Sequence, residues 1–92
     1  MARIVKNDQG FKVIAMISEE AIQKCNFGEV CDHCLEPYFG KKCLYYVAVL
    51  NMLFCTPCYI NWIEKNERYA EDVPYEERNF KFYCEKLGLK EE

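Results

Sequence analysis

Two short cysteine pairs carry the chemistry that the sequence makes most visible. Cys31-Asp32-His33-Cys34 and Cys55-Thr56-Pro57-Cys58 stand twenty residues apart, giving the spacing C-x2-C-x20-C-x2-C. Thiolates three positions apart wrap a tight turn and occupy two corners of a tetrahedron, and two such pairs complete a zinc shell at about 2.3 Å per bond. The spacing therefore predicts one structural Zn2+ held by Cys31, Cys34, Cys55 and Cys58. The other three cysteines, Cys25, Cys43 and Cys84, are isolated in the chain, as is the single histidine, His33. They lack the repeated close pairs of a two-ion site, so the cysteines are read as small buried hydrophobes and His33 as an exposed residue of the first turn.

A thiol reads differently in oxidising and reducing compartments. Met1 to Gly10 shows no apolar run with a small-residue cleavage site, and the stretch Leu44 to Cys55 is too short to cross a bilayer. A cytoplasmic protein is expected, in which clustered thiols bind metal more readily than they pair. Seven cysteines in 92 residues also cannot all pair. At 51% hydrophobic, 15% aromatic and 29% charged residues, the chain is too apolar to be disordered and too charged to be membrane-embedded. Its length suits a single domain, residues 1–92, whose thin core a bound ion would reinforce.

The elements that must position the cysteines follow from turn chemistry and periodicity. Arg3 to Lys6 and Phe11 to Ile17, separated by Asn7-Asp8-Gln9-Gly10, predict an N-terminal hairpin. Ser18 is placed to cap a short helix from Glu19 to about Cys25, its two glutamates favouring the positive helix end and Gly28 lying just beyond. Lys42 to Leu50 and Met52 to Phe54 predict a second hairpin joined around Asn51, with Lys41-Lys42 at a solvated tip. Pro57 suits a first helical turn, and Tyr59, Trp62, Ile63, Asn66, Tyr69 or Ala70, and Val73 recur at helical spacing. The second cysteine pair thus opens a helix. A last helix follows, with Asp72 or Val73 at its cap, Pro74 in its first turn, Glu76 and Glu77 near its positive end and Gly88 at its stop. Phe80, Tyr83, Cys84 and Leu87 form its apolar stripe, while Phe82 and Tyr75 fall off it as candidates for an exposed contact.

A cysteine knuckle, a hairpin and a helix whose first turn supplies the second pair resembles the treble-clef zinc fold over about residues 29–72. Residues 1–28 and 73–92 flank that core. The fold class expected is α+β. More loosely, Val49-Leu50-Asn51, Phe54-Cys55, Trp62 and Tyr69-Ala70-Glu71-Asp72 resemble small bacterial and phage zinc proteins of undetermined role. The resemblance implies metal binding and leaves the activity open.

Three classes of function compete. In a non-enzymatic module, four thiolates leave no position for water on zinc, and exposed faces bind a partner. The net charge of −3 and the single adjacent basic pair, Lys41-Lys42, favour a protein partner over nucleic acid, which stays open as an alternative. The run Cys55-Thr56-Pro57-Cys58 also resembles the motif of thioredoxin-like dithiol oxidoreductases, which would leave Cys31 and Cys34 unexplained. A treble-clef nuclease would draw metal and base from histidines, and Asn61 and Asn66 on the helix do not replace them. No phosphate loop or Ser/His/Asp set indicates another enzyme.

Overall fold

A computed structural model of the chain describes residues 2–28, 30–37 and 43–90. Its elements are β1 (Arg3–Val5), β2 (Val13–Ile17), α1 (Ser18–Gln23), β3 (Cys43–Val47), β4 (Met52–Cys55), α2 (Thr56–Lys65), a 3₁₀ turn (Ala70–Asp72) and α3 (Val73–Leu87). The strands form one antiparallel sheet in the order β1-β2-β3-β4. The architecture is α+β, as expected. Lys41-Lys42, Gly40, the Lys42 start of the second hairpin and Glu29 lie outside the described residues.

The sheet is covered on both faces, which explains why β2 reads Val-Ile-Ala-Met-Ile without alternation. Side chains of a strand point alternately to opposite faces, so a strand apolar at every position needs a core on each side. Ile14, Met16, Leu44, Tyr46 and Leu53 face one way and pack with Ala21 and Cys25 and with Phe80 and Cys84 of α3. Val13, Val47 and Phe54 face the other way and pack with Phe11, Cys31 and Tyr59 of α2. The register Ile14↔Tyr46 and Val13↔Val47 sorts these residues to their faces. The α3 stripe read from the sequence is the packed one, with Tyr83 and Leu87 beside the first core. Phe82 and Tyr75 are exposed, each near a cation, Lys86 and Arg78 respectively.

The first hairpin turns where Asn7 to Gly10 predicted. Gly10 adopts φ 82°, a conformation that side chains with a Cβ rarely take, and its N–H donates to the Asn7 carbonyl at 3.2 Å. The Asn7 side chain clamps Phe11 by accepting from its N–H and donating to its carbonyl, at 2.9 and 2.8 Å. The second hairpin differs from its reading. β3 stops at Val47, and Ala48 to Asn51 form the turn, with Asn51 N–H donating to the Ala48 carbonyl at 3.1 Å. Apolar Val49 and Leu50 disguise this turn as strand. Asn51 itself sits at φ 54°, and its side-chain oxygen accepts the buried Tyr46 hydroxyl at 2.6 Å. Asn tolerates this left-handed conformation better than most residues.

Burial holds the Tyr46 phenol well above its usual range, with Tyr83 and Cys25 adding to the effect. A raised folded-state value means its contribution to stability is full below the ordinary tyrosine range near pH ~10 and is lost at higher pH. Alkaline absorbance titration of the seven tyrosines should therefore leave Tyr46 un-ionised until the chain unfolds. Tyr46→Phe should cost about 1 kcal/mol in denaturant unfolding and remove that last tyrosine step.

Three helix boundaries are corrections. Ile17, not Ser18, is the N-cap of α1; no side-chain cap bond forms, and Ser18 is buried as the first helical residue. Glu20 replaces it, its carboxylate accepting from the N–H groups of Ile17 at 3.3 Å and Ala2 at 2.9 Å. Burial alone would raise the Glu20 carboxyl, but these N–H donors bring it below its ordinary range. The helix also ends early, at Gln23, where Asn26 rather than Gly28 takes the left-handed position, φ 58°. α2 ends at Lys65, so the spacing that ran on to Val73 joins two separate helices. Asn66 is extended and turns its amide back to the Trp62 carbonyl at 2.8 Å, closing the helix in place of an N–H. α3 closes on Gly88, φ 71°, with Leu89 N–H donating to the Cys84 carbonyl at 2.8 Å.

Candidate metal centre

The first cysteine pair lies on a tight reversal of the backbone. Val30 pairs with Pro37, Cys31 N–H donates to the Glu36 carbonyl at 3.0 Å, and Leu35 N–H returns to the Cys31 carbonyl at 2.9 Å. Leu35 pays the conformational cost at φ 60°. This knuckle is fastened to the sheet by Asp32, whose N–H donates to the Leu53 carbonyl at 2.9 Å and whose carboxylate accepts the Leu53 N–H at 2.7 Å. The pair of bonds mimics an extra strand and covers the β4 edge of the sheet. Asp32 was invisible in the sequence because it lies between two cysteines and matches no capping pattern.

The second pair spans the junction from β4 to α2. Cys55 is both the last strand residue and the helix N-cap, and Cys58 follows one turn into α2 beyond Pro57. Thr56 ties that junction to β3, its hydroxyl donating to the Cys43 carbonyl at 2.9 Å. Strand, turn and helix therefore aim both thiols at the knuckle.

The four sulfurs lie within 4.8 Å of one another. Cys34 Sγ and Cys55 Sγ are 3.9 Å apart. A tetrahedral ion with bonds of ~2.3 Å needs sulfurs about 3.8 Å apart, so the donor set fits such an ion. Cys31 is buried, Cys55 and Cys58 are half-buried, and Cys34 is exposed. Around Cys31 the backbone already supplies what a thiolate requires: His33 N–H approaches its sulfur at 3.4 Å and Cys55 N–H at 3.3 Å. Burial would push the Cys31 thiol up, but backbone N–H groups of Cys34, Cys55 and His33 bring it down to about 7. Cys55 and Cys58 are pushed up, first by burial and then by neighbouring thiol groups. Burial and mutual proximity oppose the ionisation of all four thiols together, and a cation among them would favour it by offsetting the thiolate charges.

The other residues singled out in the sequence stand apart. Cys25 and Cys84 are buried in the core beneath α3, and Cys43 is half-buried beside Tyr45. None belongs to a metal-ligating group among the described residues. His33 is exposed, lies edge-on to Phe54 at 5.7 Å between ring centres, and stays outside the thiol cluster. Glu76 changes its meaning. Placed by sequence at the positive end of α3, it is in fact fully buried and accepts from Arg68 Nε at 2.9 Å, Arg68 Nη2 at 2.7 Å and Lys12 N–H at 3.0 Å. Only long-range packing reveals it, since a lone Glu in a first helical turn ordinarily faces solvent.

Among the described residues, no helix is long and apolar enough to cross a membrane. The chain matches no protein-family model, no curated protein and no solved structure.

Proposed function

We propose that the chain is a treble-clef domain in which Cys31, Cys34, Cys55 and Cys58 hold one structural Zn2+, and that it works as a non-enzymatic module binding a protein partner. The observation that carries this reading is the convergence within 4.8 Å of four thiols from two C-x2-C turns that twenty residues of chain separate. Four thiolates around zinc leave no place for water, so the ion supplies cross-linking and not Lewis-acid chemistry. The protein's part is to hold the thiols: the knuckle through Asp32 and Leu53, and the helix junction through Thr56 and Cys43.

A dithiol oxidoreductase built on Cys55 and Cys58 is the weaker reading. A redox pair works by having one exposed, low-pKa thiol, whereas both of these are raised and share their space with Cys31 and Cys34. The motif's usual setting is a βαβ unit, and every strand pair described here is antiparallel. Nucleic-acid binding is disfavoured by the charge of −3.

Two measurements test the proposal. Native mass spectrometry should find one zinc per chain. Fluorescence anisotropy with a mixed-sequence oligonucleotide should show no tight, steeply salt-dependent binding; finding it would replace the protein partner with a nucleic acid.

A further inference from the structure

One concave surface lies away from the thiols, at the opposite edge of the sheet. Consecutive residues Ala2 to Asn7 form one wall, and Phe80, Leu89 and the segment Gly10 to Lys12 close a cavity of about 660 Å³. This is within the usual ~300–1,000 Å³ of binding clefts. Its floor is apolar: Ile4 and Leu89 pack beside buried Phe80, and the left-handed cap at Gly88 is what folds Leu89 into that position. Its rim is cationic. Arg3, Lys6, Lys12 and Lys90, four of the twelve Lys/Arg residues, line it. No carboxylate does among the described residues, although the chain has fifteen. Two carboxylates bonded to the backbone of lining residues point elsewhere for their remaining charge: Glu20 accepts from Ala2 and Ile17 N–H, and Glu76 from Lys12 N–H and Arg68.

The wall is also a sheet edge. β4 is sheltered by the knuckle, through Asp32 and the Cys31 sulfur, but among the described residues β1 pairs only with β2. Among the described residues, the outward peptide groups of Arg3 to Val5 have no partner beyond that strand. An unpaired edge offers alternating N–H and C=O groups to another extended chain. A second copy is a poor occupant, since pairing two β1 edges would set Arg3 and Lys6 against like charges.

We infer that the β1 groove receives an extended acidic segment of a partner protein, which adds to the sheet as a fifth strand with apolar side chains over Ile4 and Leu89, carboxylates toward Arg3 on the opposite face of the edge, and, at the segment's ends, carboxylates toward Lys6, Lys12 and Lys90. This rests on the reading of the chain as a protein-binding module and names its surface. The strand edge is Arg3–Val5, so main-chain pairing spans about three residues at ~3.3 Å each, and the rest of a six-residue segment lies over the flanking wall. Main-chain bonds give affinity, and the cations set polarity and selectivity.

The test uses the zinc-loaded full chain, labelled with ¹⁵N and titrated with an alternating Glu-Val hexapeptide. Saturable shifts are expected at the amides of Ala2 to Lys6. A Lys-Val peptide and a Glu-Val peptide N-methylated at alternate residues should each bind roughly tenfold or more weakly, because one reverses the charge and the other removes the strand donors. The triple change Arg3→Glu, Lys6→Glu, Lys90→Glu should cause a similar loss while leaving zinc stoichiometry and thermal unfolding intact. Equal binding by the N-methylated peptide overturns strand addition. Shifts confined to another face overturn this site while preserving the protein-binding reading. No binding to any face, with an oligonucleotide shifting Ala2 to Lys6 instead, removes both.

Discussion

Serine at Cys31, Cys34, Cys55 or Cys58 is expected to abolish stoichiometric zinc and leave the chain unfolded at 25 °C. The reason is one of scale. Zinc binding in small finger domains contributes about 10–16 kcal/mol, which matches or exceeds the ~5–15 kcal/mol total stability of an ordinary domain. A missing thiolate loses much of that contribution. It also leaves the knuckle attached to the sheet chiefly through Asp32 and the buried Cys31 side chain. Serine at Cys25, Cys43 or Cys84 should keep one zinc per chain. In the two buried cases it should cost about 1–3 kcal/mol, because a hydroxyl replaces a thiol in an apolar core. Native mass spectrometry and far-ultraviolet circular dichroism on these seven variants check both halves. Zinc retained at full stoichiometry in a Cys34→Ser or Cys58→Ser chain would contradict the four-thiolate assignment.

The second large effect belongs to a residue far from the thiols in sequence. Arg68→Ala removes both guanidinium bonds from Glu76 and leaves a fully buried carboxylate with the Lys12 N–H as its remaining donor among the described residues. Breaking a buried pair in this way costs about 3–5 kcal/mol, far more than an exposed pair is worth. Glu76 also joins α3 to the start of β2 through Lys12, so the loss should loosen the helix against the sheet. Chemical denaturation of the zinc-loaded protein should show this drop. The double change Arg68→Ala, Glu76→Leu should recover part of it, since no charge is then stranded. An Arg68→Ala chain within about 0.5 kcal/mol of the parent would show that water, and not the guanidinium, satisfies Glu76.

The contrast between these two sites shows what the sequence could reveal. The cysteines were legible because metal chemistry demands a fixed ligand type at a fixed local spacing, and two tight turns satisfy it within four residues each. The hairpin at Asn7 to Gly10 and the α3 stripe were legible for the same reason, as each depends on neighbours along the chain. Asn66 was not read as a stop, because its amide makes a bond that polarity alone does not reveal, and Tyr69 happened to continue the spacing of Trp62. Val49 and Leu50 read as strand because apolar turn residues carry no turn signal of their own. Glu76, Arg68 and Asp32 were beyond local reading. Their partners lie 8 to 64 residues away, and only the packed sheet brings them together. The β1 groove is of this kind too, assembled from the two ends of the described chain.

The central claim is that these four sulfurs, and no other atoms, hold one zinc ion. X-ray absorption at the zinc edge on the purified full chain tests it most directly. A first shell of four sulfurs at about 2.3 Å, with one zinc per chain, is the predicted result. A nitrogen or oxygen in that shell, or a folded chain without metal, would contradict it.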